Sequence, residues 1–229
     1  MLGTTTSTSV NTTITQPYTE MKVFESSCVF EYPWANVSIA NWRKYGAWNT
    51  QSTHVVAVDT LNRSVDPSTG IVSKSQLATP HPQLTQCHQL RTERLITCKQ
   101  NAPRWLMKII GGTEESYVRE VSEVDPQQQT VTLRSMNLTG SNIISVQETV
   151  VYSPDPSSPE TRTRFQQDAQ ITAYGAFSRI CGAIEDWSVE RFGQNARKGR
   201  VGFEAVLEMS SKAFRDMKDG GGRSEEINA

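Results

Sequence analysis

The stretch Glu185-Asp186-Trp187-Ser188-Val189-Glu190-Arg191-Phe192, followed by Asn195-Ala196-Arg197-Lys198-Gly199-Arg200, decides the architecture. It sits inside the last long helical pattern of the chain, from about Ala176 to Met217. Phe177, Ile180, Ile184 and Trp187 fall at steps of three, four and three, so they share one helix face. The same steps lead on to Arg191, then to Gln194 or Asn195, then to Lys198. An apolar stripe thus turns cationic without leaving its face. Two readings fit this pattern. The helix leaves the protein body and its basic end is solvated. Or the face lines a cavity, apolar at one end and able to hold an anion at the other. Gly193, Gly199 and Gly202 interrupt the helix, each costing about 1 kcal/mol relative to Ala. They mark kinks or fraying, or places where another backbone, a lid or a ligand comes close.

Everything upstream reads as sheet with two short helices. In Lys22 to Tyr32, Phe24, Cys28 and Phe30 alternate with Glu25 and Glu31, the pattern of a half-buried strand. Pro33 opens a short helix with Trp34, Val37 and Asn41 or Trp42 inward, Arg43 and Lys44 in its last turn, and Gly46 as a stop. A Val-rich strand spans Thr53 to Val65, and Asp66-Pro67-Ser68-Thr69-Gly70 is a turn. The returning strand begins at Ile71-Val72 and resumes at Arg91. Between them, Ser75 to Leu90 has no charged residue, two prolines and four glutamines, and reads as an inserted loop. Pro103-Arg104-Trp105-Leu106-Met107-Lys108-Ile109-Ile110 is a short apolar segment ended by Gly111-Gly112. It is either a buried turn of helix or a mobile lid that presents Trp105. Four further strands follow: 116–124, 130–137, 142–152 and 162–174. Their short connections make a meander. A sheet of about seven strands must cover one face, and the terminal helix is the available cover. Such a grip can leave room for one elongated apolar molecule.

Composition narrows the function. The chain has 229 residues with 36% hydrophobic and 21% charged, as in ordinary globular proteins. A net charge of −1 argues against a general nucleic-acid partner, which selects a basic excess. No apolar run reaches the ~20 residues of a bilayer span. Residues 1–20 are rich in Thr and Ser without Lys or Arg, and read as a disordered extension without a secretory or presequence pattern. The four cysteines, Cys28, Cys87, Cys98 and Cys181, form no C-x-x-C pair, so no metal site is expected and they read as free thiols. The three histidines, His54, His81 and His88, accompany no G-x-S-x-G, phosphate loop or dinucleotide fingerprint. The acidic pairs Glu114-Glu115 and Glu185-Asp186 read as exposed charge. No cofactor and no catalytic residue are expected.

Several motifs, in order, carry a family resemblance: Met21-Lys22-Val23-Phe24, Tyr32-Pro33-Trp34, Thr53-His54-Val55-Val56-Ala57-Val58-Asp59, Glu93-Arg94-Leu95-Ile96-Thr97, Pro103-Arg104-Trp105, Tyr117-Val118-Arg119-Glu120, Gln170-Ile171-Thr172-Ala173-Tyr174-Gly175 and Glu185-Asp186-Trp187-Ser188. Over Met21 to about Leu207 the chain resembles the PRELI/Ups family of mitochondrial lipid-transfer proteins, and within it the slowmo-like fungal branch associated with phosphatidylserine. The resemblance implies an α+β, START-like helix-grip fold: a seven-stranded antiparallel sheet on a long C-terminal helix, with a lid loop. It implies one domain over 21–218, with 1–20, an inserted 75–90 and a disordered tail 219–229 outside the family pattern. It implies a non-enzymatic carrier of one phospholipid between outer and inner membranes in the mitochondrial intermembrane space. Phosphatidic acid transfer, or a regulator that transfers nothing, are the alternatives. The implied partners are the phospholipid, a small helical-hairpin chaperone with twin cysteine motifs, and a transient membrane contact. Lys44, Arg191 and Lys198 match the family's headgroup-binding positions. Lysines that flank the lid in some relatives fall near Cys98 and Asn101, so Lys99 or Arg104 would substitute. Pro103, Arg104, Trp105, Leu106, Met107, Ile109 and Ile110 match the lid that touches membranes. Phe177, Ile180, Ile184 and Trp187 are expected to line the pocket.

Overall fold

In β1 (Lys22–Phe30), alternate residues Phe24, Ser26, Cys28 and Phe30 turn inward while their neighbours face solvent. That period of two recurs through the sheet and fixes which face is covered. The structure is a computed structural model that describes residues 21–46, 49–65, 89–99, 102–110, 114–175 and 178–221. After β1 come α1 (Trp34–Arg43), β2 (Val55–Val65), β3 (Leu90–Lys99), α2 (Arg104–Ile110), β4 (Glu115–Asp125), β5 (Thr130–Asn137), β6 (Ile144–Pro154), β7 (Thr163–Ala173) and α3 (Ser178–Gly221). The strands form one seven-stranded sheet in the order β1-β7-β6-β5-β4-β3-β2, antiparallel throughout. Five of the six connections join sheet neighbours in a meander; the sixth runs from β1, at one edge beside β7, to β2 at the other. The expected α+β helix-grip fold is the observed one, with α3 lying across the sheet.

Two apolar clusters fasten α3 at separated points. One joins Phe30, Leu133, Val150 and Tyr152 of the sheet to Trp34 and Val37 of α1 and to Phe203, Val206 and Leu207 of α3. Phe30 meets Phe203 edge-on with centroids 5.3 Å apart and stacks on Tyr152, while Tyr152 and Phe203 are tilted, arrangements aromatic quadrupoles favour. The other joins Leu106 of α2, Ala173 of β7 and Ile184 of α3. Between these clusters the helix and sheet do not close on each other.

Some expectations need correction. Leu90 already belongs to β3, so the irregular insert stops before it. Gln89 also bonds the Asp125 carboxylate, at 2.8 Å. Helix α3 runs to Gly221, past the boundary placed at 218. Glu185 is not exposed charge. It is buried and accepts the Ala173 backbone N–H at 2.8 Å, fastening the start of α3 to the end of β7. Its neighbour Asp186 does face solvent, where Lys22 pairs with it. The segment 1–20, the turn at 66–70, residues 75–88 of the insert, Gly111-Gly112, Phe177 and residues 222–229 lie outside the described residues. Among the described residues, no helix is long and apolar enough to cross a membrane, and no group of His, Cys, Asp or Glu is arranged to hold a metal ion. Cys28, Cys98 and Cys181 are free thiols.

Candidate functional site

The gap between the two clusters is a cavity of about 470 Å³, within the range of small-molecule pockets. The sheet supplies its floor, α3 its opposite wall, the segment after α1 one side, and α2 a cover through Ala102 and Leu106. Toward α2 the lining is apolar, with Ile144, Val146, Val118, Ile96 and Trp187. Deeper in, a polar band of Lys44, Glu120, Ser135, Glu148, Gln167 and Arg200 crosses it, and beyond the band Leu133, Val150, Tyr152, Phe165 and Phe203 line the end at the Phe30 cluster.

The polar floor follows from strand register. Arg94, Glu120, Ser135 and Glu148 face one another in successive strands, β3 to β6. Each occupies an inward position of a period-two pattern, so the row crosses the covered face. Glu120, 2% exposed, is bonded by three partners. Arg94 donates to one oxygen, while Lys44 Nζ at 3.1 Å and Tyr45 Oη at 3.2 Å donate to the other. Burial alone pushes this carboxyl up, but the two cations outweigh it and hold it below the usual carboxylate range. The Lys44 ammonium moves down instead. Burial disfavours its charge, and Glu120, shared with Arg94, repays only part of that. The Arg94 guanidinium also lies 5.4 Å from the Trp42 ring and 5.7 Å from the Tyr45 ring, which ties the end of α1 to the sheet.

The segment after α1 owes its course to Asn49. Its Nδ2 donates to the Lys44 carbonyl at 2.6 Å and to Ser52 Oγ at 3.0 Å, and its Oδ1 accepts the Gln51 N–H at 3.1 Å. It crosses α3 at Gly202, where a Cβ would stand 2.4 Å from Asn49 Oδ1. Only a glycine admits that approach. Gly199, one turn earlier, lines the cavity and has nothing within 4 Å of where its Cβ would be.

Of the expected headgroup residues, Lys44 and Arg191 line the cavity. Lys198 is exposed at its edge, near enough with Arg191 to act on His54. Burial, then those two positive charges, push the His54 imidazole below its ordinary value. Of the expected lining residues, Trp187 is in the wall. Ile184 is 1% exposed but is spent in the Leu106 cluster, and Ile180 is 44% exposed and faces away. Both corrections have one cause: the cavity-lining residues step by four, which turns the facing side by about 40° per step, so the cavity crosses α3 obliquely and a straight stripe leaves it on either side of Trp187 and Arg191. The true cavity face runs Trp187, Arg191, Asn195, Gly199 and Phe203.

The lid segment is helical as α2. Trp105 is 42% exposed and Ile109 and Arg104 also face out, while Pro103 and Met107 are half-buried. Leu106, at 2% exposed, is the exception to the expected membrane-facing set, since it packs on Ala173 and Ile184. The side chain of Ile110 lies outside the described residues. Residues 103–110 thus present an outward apolar face and one inward anchor. The sequence reading missed Arg200, Glu120 and Glu148. Arg200 is not among the residues of the sequence stripe, yet it lines the cavity and donates to Ser26 Oγ at 3.3 Å. The glutamates carried a usable signal. Glu148 interrupts the inward series Ile144, Val146, Val150, Tyr152, and Glu120 follows Val118 and precedes Ser122 and Val124 in the same way.

Comparison with known proteins places the chain. The model of the PRELI-like family matches residues 79–213. Protein UPS2, mitochondrial, of Saccharomyces cerevisiae is 48% identical over 192 residues, covering 84% of this chain and 75% of that protein. The chain belongs to the PRELI-like family. Among its other relatives within and around that family, a UPS-like protein of Schizosaccharomyces pombe is 45% identical over 188 residues, covering 82% of this chain and 90% of its own. The slowmo homolog of Dictyostelium discoideum is 30% identical over 188 residues, covering 82% and 72%. Solved structures of similar outline include a Thermus thermophilus protein, at TM-score 0.48 and 12% identity over 83% of this chain and 99% of that one. A Streptomyces aromatase/cyclase has TM-score 0.47 and 12% identity over 84% and 95%.

Proposed function

We propose that this PRELI-like protein is a phospholipid carrier of mitochondria that moves one phospholipid, phosphatidylserine, from the outer to the inner membrane across the intermembrane space. The observation that carries the reading is the cavity between sheet and α3, lined mainly by apolar side chains, with Arg191 and Arg200 on its α3 wall. Acyl chains lie along Ile144, Val146 and Trp187. Burial of each CH₂ contributes ~0.8 kcal/mol, which supplies affinity without headgroup choice. A phosphate drawn from water needs charged donors. Arg191 and Arg200 meet it from α3, with Lys198 attracting it at the edge, while Lys44 stays paired with Glu120 behind them. The name of the yeast relative, mitochondrial, supports the location.

Trp105 and Ile109 enter the membrane interface, where an aromatic ring with a polar handle is favoured. The Leu106 anchor lifts from Ala173 and Ile184 as α2 moves aside. A small helical-hairpin partner with twin cysteine motifs accompanies the protein between membranes. The lipid leaves chemically unchanged, since the reading contains no bond-making step.

The test is transfer of labelled phosphatidylserine between liposomes. Arg191→Glu is expected to lower the rate tenfold or more, the worth of one charge-assisted hydrogen bond. Lys198→Glu is expected to lower it less. Unchanged rates in both variants, with the same melting temperature as the parent, contradict the assigned site.

A further inference from the structure

The charged side chains lining the cavity are Lys44, Lys99, Arg191, Arg200, Glu120 and Glu148. Five have an evident role or outlet. Glu120 is bonded directly by Arg94 and Lys44, and Lys99 is exposed. Arg191 and Arg200 bond only the neutral side chains Gln194 and Ser26 among the described residues, so both remain available to an anion. Glu148 is different. Its carboxylate accepts Gln167 Nε2 at 2.6 Å and is approached by the Ser135 hydroxyl. No cation bonds it among the described residues. Lys44 acts on it through space, but the Lys44 ammonium is already committed to Glu120.

A carboxylate turned into a low-dielectric cavity without a counterion is costly. Burial, with the nearby Glu120 charge adding to it, raises its pKa, and Gln167 and Lys44 offset only part of this. A directly bonded cation can come from the ligand. The ligand would then carry a positive group that reaches the sheet floor and a negative group that reaches Arg191 or Arg200 on α3. A primary ammonium a few bonds from a phosphate satisfies both walls at once. A bare phosphate monoester satisfies one and is repelled by the other.

Building on the carrier reading above, we propose that Glu148 accepts the ammonium of an aminophospholipid headgroup and so makes the cavity select amine-bearing phospholipids over phosphatidic acid. Gln167 and Ser135 position the carboxylate, and the bond to Glu120 keeps the Lys44 ammonium from pairing directly with it. The selecting residue is therefore acidic, while the cations supply affinity shared by every phospholipid.

The experiment measures transfer by the purified full chain between phosphatidylcholine vesicles carrying labelled phosphatidylserine or phosphatidic acid. The parent protein is expected to favour phosphatidylserine, and Glu148→Gln, of equal size, to cut the serine-to-acid rate ratio about tenfold or more. A ratio that stays put in a folded Glu148→Gln variant overturns the proposal. A second arm needs no variant and uses phosphatidylserine with its amine acetylated. Loss of transfer by the parent protein supports the ammonium contact, and equal rates for the free and acetylated lipids overturn it. If the parent moves neither lipid, the carrier reading itself fails and the assignment of Glu148 falls with it.

Discussion

Two glycines one turn apart on α3 should respond oppositely to the same added methyl. Gly199→Ala places its Cβ in open space, so it keeps the helix-propensity gain of about 0.5–1 kcal/mol. Gly202→Ala makes the same gain but drives its Cβ to 2.4 Å from Asn49 Oδ1 and 2.9 Å from Gln51 Cβ. Asn49 cannot simply rotate away, because it is buried and holds the Lys44 carbonyl, Ser52 and the Gln51 N–H. Overpacking of this kind costs about 1–3 kcal/mol, and each hydrogen bond lost with Asn49 about 0.5–1.5 kcal/mol. After the helix gain, the net loss is about 1–4 kcal/mol. For a chain of this size that is roughly 2–4 °C of melting temperature per kcal/mol. Urea unfolding of both variants reads the two signs directly. Because Asn49 holds the backbone at Lys44, Gly202→Ala should also slow lipid transfer. A Gly202→Ala protein as stable as Gly199→Ala would refute the close crossing of this segment over α3.

Other expectations concern the buried charges and α2. Glu120→Gln leaves Arg94 and Lys44 sharing no carboxylate, and a loss of about 3–5 kcal/mol at neutral pH in urea unfolding is expected. The folded Glu120 pKa is depressed, so its contribution is present above the unfolded carboxylate value. It is lost as pH falls through the folded one, and the gap between parent and variant should shrink on acidification. Glu148 has the opposite sign. Its raised pKa gives a contribution that is present below the unfolded value and lost as pH rises through the folded one. In lipid-free protein, Glu148→Gln should therefore melt higher than the parent at pH 8, with no such advantage at pH 4. Trp105→Ala should reduce flotation with anionic liposomes at least severalfold while the melting temperature holds within a few degrees, since Trp105 faces solvent.

The fold was legible because period-two runs such as Phe24, Cys28 and Phe30 are strong signals, and short turns leave little freedom in how neighbouring strands pair. The rough course of the α3 wall was legible for the same reason. Its phase was not. A stripe kept on one face matched Trp187 and Arg191 near the middle but misplaced Ile180 and Lys198, because the cavity crosses α3 obliquely and its lining residues step by four. Glu120 and Glu148 could be seen as charged residues at inward positions. Their opposite fates could not, because they depend on which side chains the register of β3 to β6 sets beside them. Arg94 and Lys44, 26 and 76 residues before Glu120, converge on it only in the folded chain. The inward turn of Leu106 beside the outward Trp105 likewise needs the position of Ile184, which α3 supplies from far along the sequence.

The central claim is that the space between sheet and α3 holds a phospholipid. Native mass spectrometry of the full chain, purified with any small partner that accompanies it, weighs that content directly. The account predicts a mass increment of one phospholipid per chain, identified after release as a lipid with an amine headgroup, and lost or reduced in Arg191→Glu. Protein that carries no lipid after incubation with phosphatidylserine vesicles, and moves none between them, would contradict it.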